Sequence, residues 1–232
     1  MKKYMHSYGL NLSMIHHILI THDHADHIKS VGSISDSFNI PVYSTQAVHE
    51  GIAKNWCVKK KVSPNQVRYV EKGKTQQIGD FTVTPFAVPH DSSDCVGYCV
   101  QCEGITFTLV TDCGHVTEEI CAFVAKANYL VIEANHEVEK LMAGPYPLYL
   151  KERITSQIGH LSNAECARTI VENATENLKH VWLCHLSDEN NHPELARIAV
   201  TSLMESYGLR AGVDFIVEVL RRKIPSEIYD LK

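Results

Sequence analysis

Four potential metal ligands stand together near the start of the sequence, directly after a short apolar run. Residues 22–27 read His-Asp-His-Ala-Asp-His. Side chains two positions apart in an extended chain point the same way, so His22 and His24 can bind one ion. Asp26 and His27, which follow the expected turn, can then reach a second ion beside it. The spacing therefore predicts a metal site at the point where a strand ends.

Three later strand-like runs also end in a residue type that binds metals. These residues are His90, Asp112 and His185. Two ions about 3.5–4 Å apart need a bridging oxygen ligand and more imidazole nitrogens than the first motif supplies. We therefore expect the three strand ends to complete one binuclear site. Imidazole and carboxylate ligands suit zinc, manganese or iron, so the sequence leaves the identity of the ions open.

This order of ligands resembles that of the metallo-β-lactamase superfamily, in which an HxHxDH motif is followed by a single His, a single Asp and a last His. The resemblance covers nearly the whole chain. It implies an α/β fold, a four-layer αββα sandwich that forms one domain over residues 1–232, with the metals at one sheet edge. It also implies that metal one takes His22, His24 and His90, that metal two takes Asp26, His27 and His185, and that Asp112 bridges them.

Glu133 and His160 indicate which reaction the metals serve. Glu133 ends a strand-like run, and His160 opens a predicted helix. In phosphodiesterase members of the superfamily, such as the tRNA-processing zinc nucleases, a Glu at the first position orients a His at the second, which protonates the leaving oxygen. A phosphodiester has a poor leaving group and needs such a proton donor. The alternative is that Glu133 is a surface residue and that His160 only begins a helix.

Residues 184–192, together with residues 159–163, resemble the YycJ/WalJ branch of the superfamily, whose members are regarded as DNA exonucleases. The resemblance implies a hydrolase with two divalent ions, zinc or manganese with iron as a third choice, which lower the pKa of a bridging water. The resulting hydroxide attacks phosphorus in a nucleic acid substrate, for which DNA is the first expectation. The catalytic residues that this implies are Asp26, Glu133 and His160.

Two other functions stay open. Thioesterases of the glyoxalase II type share the seven ligands but do not need His160, and a non-catalytic metal-binding or regulatory protein needs only the metal site. β-Lactamases match less well, because they commonly carry Cys in the metal-two set, where this chain has Asp26. Asp23 either orients a ligand or forms a turn. The role of Asn190 and Asn191 is open, with a turn or helix cap as one interpretation.

Composition limits the partners and the location. The 232 residues, 44% of them hydrophobic, suffice for one sizeable core. No apolar run approaches the roughly 18 residues that a membrane span needs, and the first residues lack the apolar core of a signal peptide, so we expect a cytoplasmic protein with no membrane partner and eight reduced Cys. The net charge of −5 leaves nucleic acid binding to a local basic patch, unless the candidate residues form a solvated loop. The candidates are Lys59, Lys60, Lys61, Arg68, Lys72 and Lys74.

Periodicity predicts the elements that carry these residues. The first half is expected to contain a strand over 40–43, helices over 27–38 and 45–56, and a β-rich stretch over 67–110 with a hairpin at 103–104. Strands over 129–133 and 181–184 should alternate with helices in the second half. These helices are expected over 117–126, 148–157, 162–173 and 193–206.

The strand that leads into the HxHxDH motif is expected to be a sheet edge. Superfamily members normally place a strand pair before it, and this chain has only some 14 residues there. An edge strand leaves backbone amides and carbonyls unpaired. We expect Ile15, Ile18 and Ile20 to be exposed beside them. The sequence therefore predicts association through this edge, with a homodimer as the simplest form.

Overall fold

Two β-sheets lie at the centre of the molecule. The computed structural model describes residues 2–232, so Met1, with which the predicted domain begins, lies outside the described residues. The strands are β1 (Ile18–Leu19), β2 (Val42–Ser44), β3 (Val67–Tyr69), β4 (Gln76–Ile78), β5 (Phe81–Ala87), β6 (Val96–Cys102), β7 (Ile105–Val110), β8 (Tyr129–Glu133), β9 (His180–Cys184) and β10 (Ile216–Val219). The smaller sheet has the order β1-β2-β3, and the larger has the order β10-β9-β8-β7-β6-β5-β4.

Some of the helices in the described part of the chain cover the outer faces of the two sheets. They are α1 (Lys2–Ser7), α2 (Ala25–Ile28), α3 (Val31–Phe38), α4 (Gln46–Lys54), α5 (Glu118–Lys126), α6 (Val138–Ala143), α7 (Leu148–Ile154), α8 (Asn163–Asn173) and α9 (Pro193–Ser206). Short 3-10 turns lie at Leu12–Met14 and Pro64–Gln66. Within residues 2–232, no helix has both the length and the apolar character that a bilayer crossing requires.

Apolar clusters hold these layers in the order α, β, β, α. On one side of the larger sheet, Ile170 of α8 is buried with side chains of α5 and α9. Ile52 of α4 is buried with the outer face of the smaller sheet. Between the sheets, Tyr98 packs with residues of both sheets, and its hydroxyl donates to the carbonyl of Ile20 at 2.7 Å. The predicted four-layer αββα sandwich is therefore confirmed.

The larger sheet changes from antiparallel to parallel pairing at β7, and this change places the ligand-bearing loops together. Strands β7 to β10 all run in the same direction. One paired row crosses them near their carboxyl ends, and we call it the terminal row: Val110, Ile132, Leu183 and Val219. Asp112 and His185 each lie two residues beyond it. Ligand sites of parallel sheets form at this edge, because the carboxyl ends of the strands meet there.

Most predicted elements are confirmed, with β8 and α9 matching the predicted bounds. The β-rich stretch and its hairpin between β6 and β7 are also present. The single helix over 27–38 is wrong, because the chain interrupts it at Ser30, which has ψ near 1°, and begins α3 afresh. The short α6 and β10 were not predicted, since each is too brief for a clear period.

The motif strand lies at an edge as predicted, but its isoleucines are not exposed as predicted. β1 is two residues long and pairs with β2. Ile20 is only 8% exposed, and Ile18 packs half-buried against the cluster between the smaller sheet and its helices. Ile15 is half-buried as well. These isoleucines are therefore buried or half-buried rather than exposed at the edge.

Candidate metal centre and active site

Backbone carbonyls fix which nitrogen each of two clustered imidazoles leaves free. His24 Nε2 lies 3.1 Å from the carbonyl oxygen of Asp91, and His90 Nδ1 lies 3.1 Å from that of Gly159. A carbonyl only accepts hydrogen bonds, so these two nitrogens carry the protons of the neutral rings. The other nitrogens, His24 Nδ1 and His90 Nε2, then face each other at 3.3 Å with their lone pairs. Two facing lone pairs suit a cation bound between them.

His22 completes this cluster from the end of the motif strand. Its side chain is fully buried, and its Nδ1 lies 3.1 Å from the hydroxyl of Thr21. Among the described residues, its Nε2 has no hydrogen-bond partner. Burial, followed by the neighbouring imidazoles, lowers the pKa of His22 to about 2, so the ring is neutral and able to bind a metal. Ligand nitrogens of His22, His24 and His90 all lie within 4.8 Å of one another.

Asp112 lies between this cluster and the remaining predicted ligands. Its carboxylate oxygens lie within 4.0 Å of a ring nitrogen on each of four histidines. The distances are 4.0 Å to His22, 3.4 Å to His27, 3.7 Å to His90 and 3.5 Å to His185. Asp112 has a φ of 55°, in the left-handed region of the backbone that residues other than Gly rarely adopt. The strained backbone turns this carboxylate into the midst of the imidazoles.

The second ligand group stands at the start of α2 and at the end of β9. Ligand atoms of Asp26, His27 and His185 lie within 4.8 Å of one another. His27 Nε2 is 3.6 Å from Asp26, whose side chain is 73% exposed. His185 follows β9 with a φ of 54°, so it shares the backbone conformation of Asp112. All seven predicted ligands are therefore brought together, in two groups with Asp112 between them.

Glu133, at the end of β8, joins the second ligand group to His160. Its side chain is completely buried, and its Oε1 accepts from Nδ1 of His160 at 2.9 Å and from Nδ1 of His185 at 2.6 Å. Its Oε2 accepts from the backbone N–H groups of Cys113 at 2.9 Å and Leu161 at 3.1 Å. Four donors surround one carboxylate, and the Nε2 atom of each imidazole is left for another partner. Glu133 is thus not the surface residue of the alternative interpretation.

This carboxylate also sets the charge of its neighbours. Burial raises the pKa of Glu133, but the hydrogen bonds from His160 and His185 outweigh burial and bring it to about 2. For His185, burial lowers the pKa, but the hydrogen bond that its Nδ1 donates to Glu133, together with the charge of Asp112, overcomes burial and raises the pKa to about 9. Glu133 is therefore ionised at neutral pH and holds a proton on the Nδ1 atoms that face it.

The position of His160 follows from the start of α8. Ser162 accepts from the backbone N–H of Glu165 while the Glu165 side chain accepts from the backbone of Ser162, which forms a capping box. Leu161, between the cap and His160, donates its backbone N–H to Glu133. The cap and this bond fix the backbone on the carboxyl side of His160, so its imidazole stays within reach of the carboxylate.

The residues with open roles turn out to be structural. Asp23 accepts from the backbone N–H and the hydroxyl of Ser93, so it holds the loop after His90 and bonds no ligand imidazole. Asn191 is buried, exchanges two hydrogen bonds with Asn163 and donates to the carbonyl of Ala134. Asn190 is buried on the same loop, with its backbone N–H donating to the hydroxyl of Ser187. The two asparagines therefore fasten the loop that follows His185.

The basic patch is largely occupied by local partners. Its lysines form three ion pairs, Lys60 with Asp36, Lys72 with Asp94, and Lys74 with Glu71. Lys61 donates to backbone carbonyls at the end of α4 and just after it, and Arg68 donates to backbone carbonyls of the residues that precede it. These contacts favour the interpretation of a solvated loop over that of a nucleic acid surface.

Sequence reasoning missed Asp91 and Arg153. The carbonyl of Asp91 orients His24, and its carboxylate accepts from Nε of Arg153 at 2.6 Å. Both the hydrogen bond and the charge of Arg153 lower the pKa of Asp91 against the effect of burial. A signal was present, because Asp91 directly follows the predicted ligand His90 and shares its loop. The Arg partner, 62 positions away in α7, gives no local pattern.

Comparisons with known proteins agree with this geometry. The family of β-lactamase superfamily domains matches residues 5–185. Exodeoxyribonuclease YycJ of Bacillus anthracis is 33% identical over 223 residues, which cover 94% of this chain and 82% of that protein. Exodeoxyribonuclease WalJ of Streptococcus pneumoniae is 36% identical over 200 residues, which cover 86% of this chain and 74% of that protein. The predicted resemblance to the YycJ/WalJ branch is confirmed.

Solved structures support the fold. The metallo-β-lactamase fold protein YhfI of Bacillus subtilis has a TM-score of 0.65 and 17% identity, and the match covers 90% of this chain and 76% of that one. Zn²⁺-bound PqqB of Methylobacterium extorquens has a TM-score of 0.63 and 17% identity, with 88% and 71% covered. At these identities, the likeness shows the shared fold alone.

Proposed function

The chain belongs to the family of β-lactamase superfamily domains, and we propose that it is a two-metal phosphodiesterase that removes nucleotides from DNA ends. The family and the clustered His and Asp side chains make it a metal-dependent hydrolase. Its relatives YycJ and WalJ, similar over most of the chain, are both named exodeoxyribonucleases. The names of these relatives support a nuclease. The residues around the candidate metal centre support the two-metal reaction and its proton donor.

The two ligand groups fit two divalent ions. His22, His24 and His90 would hold one ion through nitrogens that the surrounding hydrogen bonds leave free. Asp26, His27 and His185 would hold the other, and Asp112 would bridge the pair. Bound zinc or manganese, or iron, would supply a water of lowered pKa as nucleophile and would stabilise charge on the phosphoryl oxygens.

One observation carries the phosphodiesterase proposal: Glu133 holds His160 at 2.9 Å beside the ligand groups, and the predicted set of seven ligands does not include this imidazole. The buried carboxylate keeps the Nδ1 proton in place, so Nε2 is directed toward other partners and can hold a second proton. His160 would give this proton to the leaving 3′ or 5′ oxygen, which is a poor leaving group without it. Glu133 orients the imidazole for this transfer.

The same observation ranks the alternatives. A thiolate leaves readily without a proton, so a thioesterase has no use for the pair of Glu133 and His160. A non-catalytic metal protein has no use for it either. Burying a carboxylate costs stability unless it is fully bonded, and here four donors are arranged around it. An arrangement of this kind is expected where a reaction needs it.

The proposal is tested by substrate choice with metal-loaded protein. Turnover of bis-p-nitrophenyl phosphate, with none of S-lactoylglutathione, is expected. Linear DNA should be shortened from its ends, while covalently closed circular DNA of the same sequence should stay intact. Hydrolysis of the thioester alone would contradict the phosphodiesterase, and cutting of the closed circle would contradict the exonuclease. Protein that binds metal and hydrolyses none of these would support the non-catalytic alternative.

A further inference from the structure

Arg221 stands beside the predicted metal ligands through the register of the parallel strands. In the terminal row, Val219 of β10 pairs with Leu183 of β9. Two residues beyond this pair come Arg221 and His185, at the same sheet edge. Leu220 donates its backbone N–H to the carbonyl of Leu183 at 2.9 Å, so the pairing continues up to Arg221. β10 thus carries a cationic residue to the position that a predicted metal ligand occupies on β9.

A cleft connects Arg221 and its neighbour Arg222 with the proposed catalytic residues. It has a volume of about 780 Å³, and Arg221 and Arg222 line it together with Asp26, His160 and His185. Both arginines are exposed, and among the described residues neither has an ion-pair or hydrogen-bond partner. The acidic Asp188 on the opposite loop is 3.6 Å from Lys223 and is partly neutralised by it. Two adjacent unpaired guanidinium groups favour an anionic ligand.

Tyr146 offers an aromatic surface in the same cleft. It lies between Pro145 and Pro147, in the connection from α6 to α7, and proline restricts the backbone on both sides of it. Its ring is half-buried, and its hydroxyl has no partner within the described part of the chain. Sites that bind single-stranded nucleic acid commonly combine an aromatic ring with cationic side chains.

We propose that this cleft binds the single-stranded end of the DNA, with Arg221 and Arg222 on backbone phosphates and Tyr146 stacked on an unpaired base. The inference rests on the proposed function, because it assigns a substrate to the same site. The family match ends at residue 185, so both arginines lie in a part of the chain that the shared metal site does not account for. In a duplex the bases stack on each other, so only an unpaired end can use the ring.

The first experiment measures binding of a fluorescein-labelled phosphorothioate single strand of about 12 nucleotides, within the ~4–16 that single-strand sites cover. Metal-loaded protein is used, and fluorescence anisotropy is read over a range of salt concentrations. The double variant Arg221→Ala/Arg222→Ala should bind about tenfold or more weakly, since two charge-assisted contacts are lost. Its slope of log affinity against log salt should fall by about 1.4, because each single-strand phosphate contact contributes ~0.7.

A matched variant, Arg168→Ala/Arg210→Ala, removes the same charge from exposed positions outside the cleft. It should keep the wild-type salt slope. Equal weakening in both double variants would overturn the proposal, because it would show an effect of net charge alone. Melting curves of all variants verify that each is folded. Tyr146→Phe should bind like wild type and Tyr146→Ala more weakly, and weak binding by both would remove stacking from the proposal.

Two comparisons separate this inference from the proposed function. A wild-type protein that binds the strand in the salt-dependent manner but cleaves neither DNA nor bis-p-nitrophenyl phosphate would contradict the proposed function and leave the cleft assignment standing. The second comparison applies if the wild type cleaves both substrates. If the arginine double variant then loses no more activity on DNA than on bis-p-nitrophenyl phosphate, the cleft assignment alone is overturned. A blunt duplex that binds as tightly as the single strand would also overturn it.

Discussion

The Oε1 atom of Glu133 lies 2.6 Å from Nδ1 of His185. This contact directs the remaining nitrogen of a predicted metal ligand toward the second ligand group, and it raises the pKa of His185 to about 9 after burial has opposed it. A buried carboxylate behind a ligand imidazole is a familiar way to fix its orientation and increase its basicity. It also couples metal binding to a proton, with measurable consequences.

We predict that binding of the second metal ion strengthens with pH up to about 9. His185 carries a proton on both nitrogens below its raised pKa, and the ion must displace the one on Nε2. Each pH unit below 9 should then weaken that site by up to about tenfold. Zinc titrations between pH 7 and 9 measure the trend, and proton release can be followed in buffers of different ionisation enthalpy. Affinity that is constant over this range would contradict it.

Removal of single ligands should lower metal content in steps. We expect wild type to bind about two equivalents after reconstitution, and His22→Ala or His185→Ala about one, because the proposed assignment gives each of these residues to a single ion. Elemental analysis after gel filtration measures this. His16→Ala is the control, since this exposed residue lies just outside the motif. His185→Ala with full metal content and activity would remove it from the site.

Loss of the proton donor should affect turnover more than metal content. His160→Ala should cleave DNA about a hundred- to ten-thousand-fold more slowly, the usual contribution of general acid catalysis. On bis-p-nitrophenyl phosphate the decrease should be much smaller, because nitrophenolate leaves without a proton. His160→Ala should also retain the metal content of wild type. Equal losses on both substrates would indicate a role in binding or folding instead.

The clustering of these side chains could be predicted from the sequence, because each signal for it is local. Residues 22–27 form one continuous motif that leads into α2, and each later predicted ligand follows a strand whose apolar pattern is readable. Long-range contacts are different. Arg153 reaches Asp91 from 62 positions away, and Arg221 reaches the cleft only because β10 adds to the parallel half of the larger sheet. The spacing of residues in the sequence predicts neither contact.

The difference between local patterns and long-range contacts also explains the errors in the predicted fold. The predicted helix over 27–38 follows a correct apolar period, but α2 ends at Ile28, the backbone departs from helical geometry at Ser30, and α3 begins at Val31. The isoleucines of the motif strand were expected to be exposed because the strand was expected to lack a neighbour. Burial depends on the other face of the sheet, where helices cover Ile18 and Ile20. Edge position and side-chain exposure are separate properties.

Protein stripped of metal should be most stable near pH 6.5. The pKa of His22 is lowered to about 2, so its contribution to stability is complete above 6.5 and is lost as pH falls below that value. The pKa of His185 is raised to about 9, so its contribution is complete below 6.5 and is lost as pH rises through 9. Urea unfolding from pH 5 to 9 tests for this maximum. In the variant His185→Gln, the free energy of unfolding should decline less between pH 6.5 and 9 than in wild type. An unchanged decline would show that other groups cause it.

Finally, we predict that the chain associates with a second copy through the β1 edge. Within residues 2–232, β1 pairs with another strand on one side only. A cavity of about 590 Å³ lies beside it, lined by largely apolar side chains that include Leu19, Met14 and Phe81. Met14 is 54% exposed and Phe81 is 43% exposed, so apolar surface accompanies the unpaired backbone. Light scattering should show a dimer or larger species whose population rises with concentration.

Charges placed at this edge should prevent the association. The double variant Met14→Lys/Phe81→Lys should shift the protein toward monomer, because pairing would bring the added lysines of two copies together at the interface. Ile198→Lys on the exposed face of α9 is the control, and it should behave as wild type. A wild-type protein that stays monomeric at every concentration would show that the short β1 is too brief to recruit a partner strand. A double variant that associates like wild type would place the interface elsewhere.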